Sequence, residues 1–495
     1  MADALFVYPR LGINVKHVSI WLPLSFLSAS GPLLQHGYSV KILDARLDDK
    51  WEETLKEELK KKPIFVGITA MAGPQLHWAL KVADIVQNSE NKAPIVWGGV
   101  LVNLIPNIAI KDSRVDIIVN GDAEETLVEL CSRLKNNESL EGLKGVFFKD
   151  KDGNPVFNPQ RKFVDLDTLP PIPYHLVNIN DYFATIVRGE KALIAVTSRG
   201  CPWRCAFCYN TAFNVEDNIR KWRCYNAENV VENLKKLKEL GANAVYVTED
   251  DFFIDMKRVE KVSELLIKEN LNLSLKTSVR ANEVLNTGKE RLMLMKKAGF
   301  TEFQIGAETD SDRLLQLMKK DLKVEQVIAA NKLLKEVGIA PKYSWFGGLP
   351  TQTIDELKSS IRFMLRLLEE NPEARATQLI PFHPYPGTEL WNLALQHGLK
   401  PPTKFEEWVN FTDRWNNADL PWLEDDMKEF LEKASYFTAF LDAKVYKELF
   451  GSKIYKLLTG TYAKIVRTRV KHNFYHFMPE IHVHKYLAKK LTYSE

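Results

Sequence analysis

A loop with three cysteines is the clearest chemical signal in this sequence. Cys201, Cys205 and Cys208 stand in the stretch SRGCPWRCAFCYN. Thiolates bind zinc ions and iron–sulfur clusters, and a closed site of either kind usually has four protein ligands. Cys224 could be the fourth ligand, which would give a structural zinc site or a four-cysteine electron-transfer cluster. Without a fourth protein ligand, one metal position is open to a small-molecule chelate.

The elements around this loop predict where it lies. The apolar run ALIAVTS precedes the loop and predicts a β-strand, and five further runs follow it, each preceded by a helical stretch. These runs are NAVYVTEDD, LSLKTSVRAN, FTEFQIGAET, APKYSWFGGLP and ATQLIPFHPYPGTEL. Six βα units predict a partial (β/α)6 TIM-like barrel whose ligand site lies at the carboxyl ends of the strands. The cysteine loop then lies in the barrel mouth, which favours an open chemical site.

An earlier alternating series predicts a separate α/β domain. Its strand candidates, among them ALFVYPR, YSVKILDAR, PIFVGITA and APIVWGGV, are apolar throughout, which is typical of a parallel sheet covered on both faces. Such doubly wound domains bind ligands at the carboxyl ends of their strands. Gly73, Gly98, Gly99 and Gly121 stand at these ends, where they would let the backbone approach a large flat ligand or simply form tight turns. The absence of a GxGxxG motif disfavours a dinucleotide.

Composition and segment character give the domain organisation. The 495 residues are 45% hydrophobic, and five cysteines do not make a disulfide framework. We see neither a secretory signal nor a run long enough to span a membrane, so we expect a cytoplasmic protein. We predict a doubly wound domain at 1–140, a Pro-rich linker at 141–189, the partial barrel at 190–395 and a helical, basic region at 396–495.

The carboxyl-terminal region concentrates positive charge. From Lys444 onward the sequence has 11 Lys plus Arg against 3 Glu, although the net charge of the chain is only +3. Tyr446, Phe450, Ile454 and Leu457 recur at helical spacing, which predicts a basic amphipathic helix. Such a helix could lie on an anionic membrane and admit a lipid-like substrate, or pack on the barrel with a solvated basic face. Nucleic acid is not expected, because a basic aromatic tail alone is weak evidence for it.

The CxxxCxxC motif that opens the βα series resembles that of the radical S-adenosylmethionine (SAM) superfamily. The resemblance covers about residues 190–390 and includes an aromatic residue, Phe207, inside the motif. It implies that Cys201, Cys205 and Cys208 bind a 4Fe-4S cluster. It also implies that the amine and carboxylate of SAM occupy the open iron position.

The same resemblance implies a set of SAM contacts at successive strand ends. VTEDD stands where the family holds the methionyl amine, although the commoner motif there is Gly-Gly-Glu. SVRAN places a serine and an arginine near the carboxylate and ribose, QIGAETDS resembles a GxESGS segment whose glutamate binds the ribose hydroxyls, and WFGGLPTQT resembles the GLPGET segment near the adenine. The residues implied are Phe207, Thr248, Glu249, Asp250, Ser278, Arg280, Glu308, Gly347 and Gly348.

The first domain resembles that of the cobalamin-binding subgroup of these enzymes, which includes the oxygen-independent protoporphyrin ester cyclase and the carbon and phosphorus methylases. The matching stretches are YPRLG, GYSVKILDA, VGITA, WGGV and GDAEETL. The resemblance implies cobalamin at Gly73, Gly98, Gly99 and Gly121. Because the sequence has no DxHxxG motif, we expect that histidine does not hold the lower face of cobalamin.

Together these resemblances imply an oxygen-sensitive, cobalamin-dependent radical SAM enzyme that takes electrons from a flavodoxin- or ferredoxin-type donor. A 5'-deoxyadenosyl radical would methylate, or otherwise form a bond at, an unactivated carbon of a small or hydrophobic substrate. Within enzymes, the alternative is an oxidative cyclisation, rearrangement or coupling without methyl transfer, with the first domain as a scaffold. Outside enzymes, the alternative is a binding protein with structural zinc. The sequence identifies no catalytic side chain beyond these cofactor ligands.

Overall fold

The computed structural model of the chain contains two large β-sheets, each flanked by helices. It describes residues 2–12, 20–184, 189–213, 215, 216, 219–411, 420–442, 444, 453–475 and 478. No helix within these ranges combines the length and the apolar character that crossing a membrane requires. Tyr446 and Phe450 of the predicted amphipathic pattern lie outside the described residues.

The first sheet belongs to the amino-terminal domain. Its strands are β1 (Ala4–Tyr8), β2 (Val40–Asp44), β3 (Phe65–Thr69), β4 (Ile95–Gly98), β5 (Ile117–Val119), β6 (Val146–Lys149) and β7 (Pro155–Phe157), in the order β2-β1-β3-β4-β5-β6-β7. The helices are α1 (Leu24–Gln35), α2 (Trp51–Leu59), α3 (Pro74–Gln87), α4 (Val100–Leu104), α5 (Pro106–Ala109) and α6 (Glu124–Lys135). Strands β1 to β5 pair in parallel.

Both faces of this sheet are covered, as predicted for a doubly wound domain. Ala4 and Phe6 of β1 pack in one apolar core, whereas Leu5 and Val7 pack in another. Because successive side chains of a strand point to opposite faces, the two cores lie on the two sides of the sheet. This explains why the strand sequences are apolar throughout rather than alternating.

The segment predicted as a linker contributes two strands to the first sheet. β6 pairs antiparallel with β5 and with β7, which extends the sheet to Phe157. The ring centroids of Phe147 and Phe157 lie 5.0 Å apart across this hairpin. The turn between the strands is closed by Asp150, whose carboxylate accepts hydrogen bonds from the backbone of Asp152 and Asn154. The strands are short and only Val146 among their residues is buried, so their sequence pattern is weak.

The second sheet is the predicted six-stranded parallel half-barrel. Its strands are β8 (Ala192–Ala195), β13 (Ala244–Val247), β14 (Ser274–Val279), β15 (Phe300–Glu308), β16 (Ala340–Gly347) and β17 (Arg375–Pro381), in sequential order across the sheet. Short strands β9 (Ser198–Arg199), β10 (Val215–Glu216), β11 (Ile219–Arg220) and β12 (Arg223–Cys224) follow β8. The helices are α7 (Asn210–Phe213), α8 (Ala227–Glu239), α9 (Met256–Lys268), α10 (Ala281–Lys297), α11 (Asp312–Leu317), α12 (Val324–Val337), α13 (Ile354–Glu370) and α14 (Glu389–Gln396).

Side-chain alternation on the central strands separates the helix-covered face from the open concave face. On β16, the Tyr343 hydroxyl donates a hydrogen bond to Asn331 of α12, and Trp345 packs edge-on against Phe363 of α13. These two buried aromatic residues therefore serve packing. On the neighbouring strand, Gln304 points to the opposite face and is exposed.

The carboxyl-terminal region is helical and packs on both domains. A short 3-10 helix spans Phe405–Val409, followed by α15 (Asp425–Phe437) and α16 (Lys453–Lys471). The carbonyl of Trp408 accepts a hydrogen bond from the backbone N–H of Gly73 in the first domain. α15 packs on β17 and α16 packs on α13 of the barrel. The tail helix is therefore anchored to the protein along one face.

Candidate functional site

Backbone hydrogen bonds before the cysteine loop and within it hold the loop at the mouth of the barrel. Before the loop, β9 pairs antiparallel with β12, which places Ser198 opposite Cys224. Within the loop, the N–H of Ala206 donates to the carbonyl of Met318, and the N–H of Cys208 donates to the carbonyl of Cys205. These bonds fix the loop against the segment that follows α11.

Two of the loop thiols, those of Cys201 and Cys208, lie in the same electrostatic environment. Burial, with the carboxylates of Asp251 and Asp250, raises the pKa of Cys201 above the usual range of a thiol. Burial, with Asp250 and the neighbouring Cys205, raises the pKa of Cys208 to about 11. Thiols in such surroundings stay protonated at neutral pH, so metal binding must displace their protons.

Cys224 has different neighbours. Burial raises the pKa of its thiol, and the charged groups that act on it are Arg258, Asp255, Asp167 and Glu249 rather than the loop cysteines. Throughout the described ranges, no three His, Cys, Asp or Glu side chains converge as ligands of a single metal ion. A cubic cluster spaces its thiolates more widely than a single ion does, because each thiolate binds a different iron.

Arg280 lies against the cysteine loop. Its Nη1 is 3.4 Å from the Sγ of Cys205, its Nη2 donates to the carbonyl of Lys320, and its guanidinium carbon stands 4.3 Å from the ring centre of Trp203. The indole Nε1 of Trp203 donates in turn to Asp251 at 2.8 Å. The sequence predicted Arg280 near SAM, and the structure brings it to a cysteine sulfur.

The carboxylates of the VTEDD segment face different surroundings. Glu249 is buried, accepts hydrogen bonds from Thr197 at 2.6 Å and from Ser198, and lies 3.7 Å from Arg258. Burial raises the pKa of Glu249 despite that arginine. Asp250 is exposed at the mouth, although neighbouring groups remove enough water to raise the pKa of its carboxyl.

Thr248 and Ser278 stand beside these carboxylates at the strand ends. The Thr248 hydroxyl donates to the carbonyl of Ala195, the last residue of β8, at 3.3 Å. The carbonyl of Ser278 accepts a hydrogen bond from the N–H of Phe252. Both residues therefore lie at the carboxyl edge of the half-barrel, with Asp250 between them in sequence.

Glu308 forms a buried ion pair that the sequence did not predict. Its backbone is left-handed, with φ 62°, and its carboxylate accepts a 2.6 Å bond from the ammonium of Lys320. The Lys320 ammonium also stands 5.6 Å from the ring centre of Phe207 in the cysteine loop. The basic pair in LMKKD, shortly after the GAETDS segment, was the sequence signal for this lysine.

Gly347 and Gly348 are packed against apolar side chains. A Cβ at Gly347 would lie 2.5 Å from Leu357, and a Cβ at Gly348 would lie 2.7 Å from Leu431. The carbonyl of Gly348 accepts a hydrogen bond from the indole of Trp422. Phe346, the residue before this pair, reaches the mouth, where its ring centre lies 5.0 Å from that of Phe207.

The carboxyl edge of the first sheet faces the cysteine loop, because α4 contacts α7. Two apolar side chains are open at this edge, Leu11 after β1 with 44% exposure and Met71 after β3 with 50%. A Cβ built on Gly98 at the end of β4 meets only open space.

The three other predicted glycines have close neighbours. The N–H of Gly73 donates to Trp408, a Cβ at Gly99 would lie 2.8 Å from the Ala70 carbonyl, and one at Gly121 would lie 3.6 Å from Phe163. Of the four predicted glycines, Gly98 therefore leaves the most room for a ligand.

An ionic cluster joins the first domain to the strand that leads into the cysteine loop. Arg199 of β9 donates to Asp122 at 3.2 Å, to Glu124 at 2.5 Å and to Ser28 at 2.9 Å. Arg223 of β12 pairs with Asp122 from the other side. Although burial opposes it, the charge of Arg199 holds the pKa of Glu124 down to about 2.

Two protein-family models match the chain. The Radical SAM superfamily matches residues 195–364, which include the three loop cysteines, and the B12 binding domain matches residues 11–131. The chain is a radical SAM enzyme with a B12-binding domain. Its cofactors are accordingly a 4Fe-4S cluster, SAM and cobalamin.

Two relatives are similar to this radical SAM enzyme over about three quarters of its length. An uncharacterized methyltransferase of Pyrococcus horikoshii is 29% identical over 383 residues, 76% of this chain and 79% of that protein. An anaerobic magnesium-protoporphyrin IX monomethyl ester cyclase of Rubrivivax gelatinosus is 25% identical over 72% of this chain. The chain spans 64% of the length of that cyclase.

A solved structure shares the fold of the radical SAM enzyme. The cobalamin-dependent SAM radical enzyme OxsB, with aqua-cobalamin and SAM bound, superposes with a TM-score of 0.73 at 18% identity, over 99% of this chain and 75% of that one. The predicted fold class is therefore confirmed. The family match also excludes the reading of the protein as a structural zinc protein.

The residues present in the radical SAM enzyme fit its cofactors. The donor set of the loop is three free thiols at a barrel mouth, which suits a cluster with one open iron. The open apolar edge formed by Leu11, Met71 and Gly98 suits the flat corrin of cobalamin. The individual SAM and cobalamin contacts remain predictions.

Proposed function

We propose that the enzyme transfers a methyl group to an unactivated carbon of a small-molecule substrate. The contact of α4 with α7 carries this proposal, since it sets the open edge of the B12-binding domain against the cysteine loop. When bound, the cluster and SAM supply a hydrogen-abstracting radical, and cobalamin supplies a transferable methyl group. The name of the Pyrococcus relative, a methyltransferase, supports the same reaction.

In this proposal, carboxylates at the barrel mouth orient SAM. Asp250 faces the mouth close enough to affect the loop thiols, so its carboxylate accepts the methionyl ammonium. Thr248 and Ser278 flank it at the same edge. Glu249, which is bonded to Thr197 and Ser198, holds the strand ends in place. Lys320 donates to one carboxylate oxygen of Glu308, Oε1. The other oxygen, Oε2, accepts hydrogen bonds from the ribose hydroxyls.

Aromatic side chains line the proposed reaction space and exclude water from it. Tyr209 follows the last cluster cysteine, and its ring centre lies 5.7 Å from that of Tyr385 after β17. Burial raises the pKa of Tyr209, so the phenol stays protonated throughout the neutral range. A dry, neutral wall protects a carbon radical from competing reactions.

Bond formation without methyl transfer is the second candidate function. The observation in its favour is the identity with the Rubrivivax cyclase, which extends over 72% of this chain. In that case the B12-binding domain would position the substrate without supplying the methyl group.

The deciding experiment is anaerobic reconstitution with iron, sulfide and hydroxocobalamin, followed by incubation with SAM that carries a trideuterated methyl group. We expect about four irons and one cobalt per chain. With a one-electron reductant and a metabolite extract, we expect 5'-deoxyadenosine together with a product that carries the label. If 5'-deoxyadenosine forms together with a dehydrogenated product that lacks the label, the methyl-transfer proposal is wrong and the cyclisation proposal takes its place.

Cysteine variants give the matched controls for cluster loading. Cys205→Ala should lose the cluster, whereas Cys224→Ala should keep about four irons, because Cys224 pairs with Ser198 in a ladder outside the loop. Loss of iron in Cys224→Ala would show that a fourth cysteine binds the cluster.

The proposal also covers the electron donor of the enzyme, its location in the cell and its contact with a membrane. We propose a flavodoxin- or ferredoxin-type donor, a cytoplasmic location and peripheral contact with an anionic membrane through α16. The support for the membrane contact is the outward face of this helix, where Leu457 is 71% and Leu458 59% exposed. Lys464 lies on the same face and is exposed. Apolar side chains beside cations match the chemistry of an anionic lipid surface.

A further inference from the structure

We propose that Arg280 is an electrostatic partner of the iron–sulfur cluster: its guanidinium donates a hydrogen bond to the Cys205 sulfur and raises the midpoint potential of the cluster. The inference needs the cluster on the three loop cysteines, but it does not depend on methyl transfer. It gives Arg280 a role toward the cluster itself, whereas the sequence motif placed it toward SAM.

Four contacts fix the guanidinium in this position. Nη1 lies 3.4 Å from the Cys205 Sγ, Nη2 donates to the Lys320 carbonyl, and Nε donates to Asn282 at 3.4 Å. The guanidinium carbon lies 4.3 Å from the ring centre of Trp203. Arg280 is only 8% exposed. Its hydrogen-bond direction toward the sulfur is therefore set by the protein before any cofactor binds.

No carboxylate of the described residues lies within ion-pair distance of Arg280. The carboxyl groups on which the Arg280 charge acts are those of Glu283 and Asp321, and Asp321 is already paired with Arg204. Burial and Asp251 raise the pKa of Glu283 to about 9, so this acid is neutral at pH 7. Asp251 is engaged by the Trp203 indole and the N–H of Phe253. The arginine charge is thus left to act on the sulfur.

The effect of this charge follows from Coulomb's law. Reduction adds one negative charge to the cluster, and a buried cation beside a ligand sulfur stabilises the reduced form more than the oxidised form. Net charge, burial and hydrogen bonds to sulfur are the factors that set the potentials of such clusters. Arginine is suited to this role because it stays protonated when buried.

The test is a redox titration of the reconstituted enzyme without SAM, in which electron paramagnetic resonance measures the amount of reduced cluster at each potential. Arg280→Gln should lower the ratio of reduced to oxidised cluster at a fixed potential at least tenfold, which equals about 59 mV for one electron. Arg280→Lys keeps the charge and should stay within threefold of the unmodified enzyme. Omitting SAM separates this role from a contact with the cofactor.

Arg204→Gln is the matched control in the same loop. Arg204 stands between Cys201 and Cys205, but its side chain is 59% exposed and pairs with Asp321, so solvent screens its charge. This variant removes the same charge and should change the ratio less than threefold. An equal shift in both glutamine variants, or no shift in Arg280→Gln with iron retained, would overturn the proposal.

A second measurement does not depend on Arg280→Gln retaining its cluster. The unmodified enzyme is labelled with nitrogen-15 in its arginine side chains. Pulsed electron paramagnetic resonance should then show a hyperfine coupling between nitrogen-15 and the reduced cluster. The coupling should persist in Arg204→Gln and disappear in Arg280→Lys. The absence of this coupling in the unmodified enzyme would exclude the N–H···S bond.

Discussion

Neighbouring carboxylates of this chain differ in what surrounds them more than in their chemistry. Glu249 and Asp250 follow one another after β13, yet Glu249 is enclosed by Thr197, Ser198 and Arg258, whereas Asp250 is open to the mouth. Asp250 is hydrogen-bonded to Asn210 but remains exposed. A motif comparison assigns both to SAM, because it gives no information on how far the protein encloses each side chain. The structure favours Asp250 as the ligand-facing group.

Asp250→Asn should weaken SAM binding at least tenfold with little change in thermal stability. A charge-assisted hydrogen bond contributes about 1.5–3 kcal/mol, and a tenfold change in affinity corresponds to about 1.4 kcal/mol. Glu249→Gln should show the reverse, a lower melting temperature from the unpaired Arg258. Equilibrium SAM binding and thermal melting of the reconstituted protein measure both. Weaker binding in Glu249→Gln with an unchanged melting temperature would assign the ligand role to Glu249.

Glu283 predicts a pH dependence of stability. Its pKa of about 9 in the folded protein lies above the usual carboxyl value, so between these values the folded state holds a proton that the unfolded state has lost. Stability from this group is complete at low pH and declines as the pH rises through that window. Glu283→Gln imitates the protonated acid and should reduce the fall in melting temperature between pH 6 and pH 8.5. An unchanged fall would mean that another group causes it.

At the scale of elements, the sequence was most informative where a pattern is repeated. The six barrel strands and the five parallel strands of the first sheet are apolar and alternate with helical stretches, so the repeated pattern predicts them. β6 and β7 were assigned to a linker because they are short strands, joined by a polar turn, in which only Val146 is buried. The Glu308 to Lys320 pair was not found for another reason: its partners come from different elements, and only the folded chain brings them together.

The tail helix α16 has one face that packs and one that is open, and each agrees with a different sequence interpretation. Ala463, Val466 and Val470 are buried against the protein, which confirms the packing of this helix on the barrel domain. Leu457 and Leu458 remain largely exposed. Packing and membrane contact therefore use different faces and do not exclude one another.

Replacing both exposed leucines, Leu457→Asp with Leu458→Asp, should reduce binding to phosphatidylserine vesicles at least fivefold, because burial of apolar area and attraction to anionic lipid both weaken. Co-sedimentation with vesicles measures the effect. Thr461→Asp with Thr468→Asp adds the same charge on exposed positions of α16 without removing apolar surface, and should change binding less than twofold. If both double variants lose vesicle binding equally, the contact depends on charge alone and not on the leucines. If the unmodified protein does not bind the vesicles, the membrane contact is excluded.

At the scale of the whole molecule, the enzyme needs its two cofactor sites in a fixed relation. Several contacts link the domains: the Arg199 cluster, the Tyr182 hydroxyl bonded to Asp44 at 2.9 Å, and the Gly73 bond to Trp408. Arg199 is two residues before Cys201, so it connects the end of β5 directly to the cluster loop. A sequence comparison treats the two domains as separate matches and gives no information about this connection.

Arg199→Gln should therefore uncouple the domains. The substitution leaves Glu124 buried and without its cation, which costs about 3–5 kcal/mol for a broken buried pair. We expect the unfolding of the reconstituted protein, measured by calorimetry, to separate into two transitions.

Adding Glu124→Gln to the same chain should recover part of the stability but not the coupling, because Asp122 and Ser28 still lack the guanidinium of Arg199. Arg133→Gln removes an arginine on the outer side of α6 that pairs with Glu129, and should leave the transitions as they were. If Arg199→Gln and Arg133→Gln unfold alike, the domains are held together by the Tyr182 and Gly73 contacts instead.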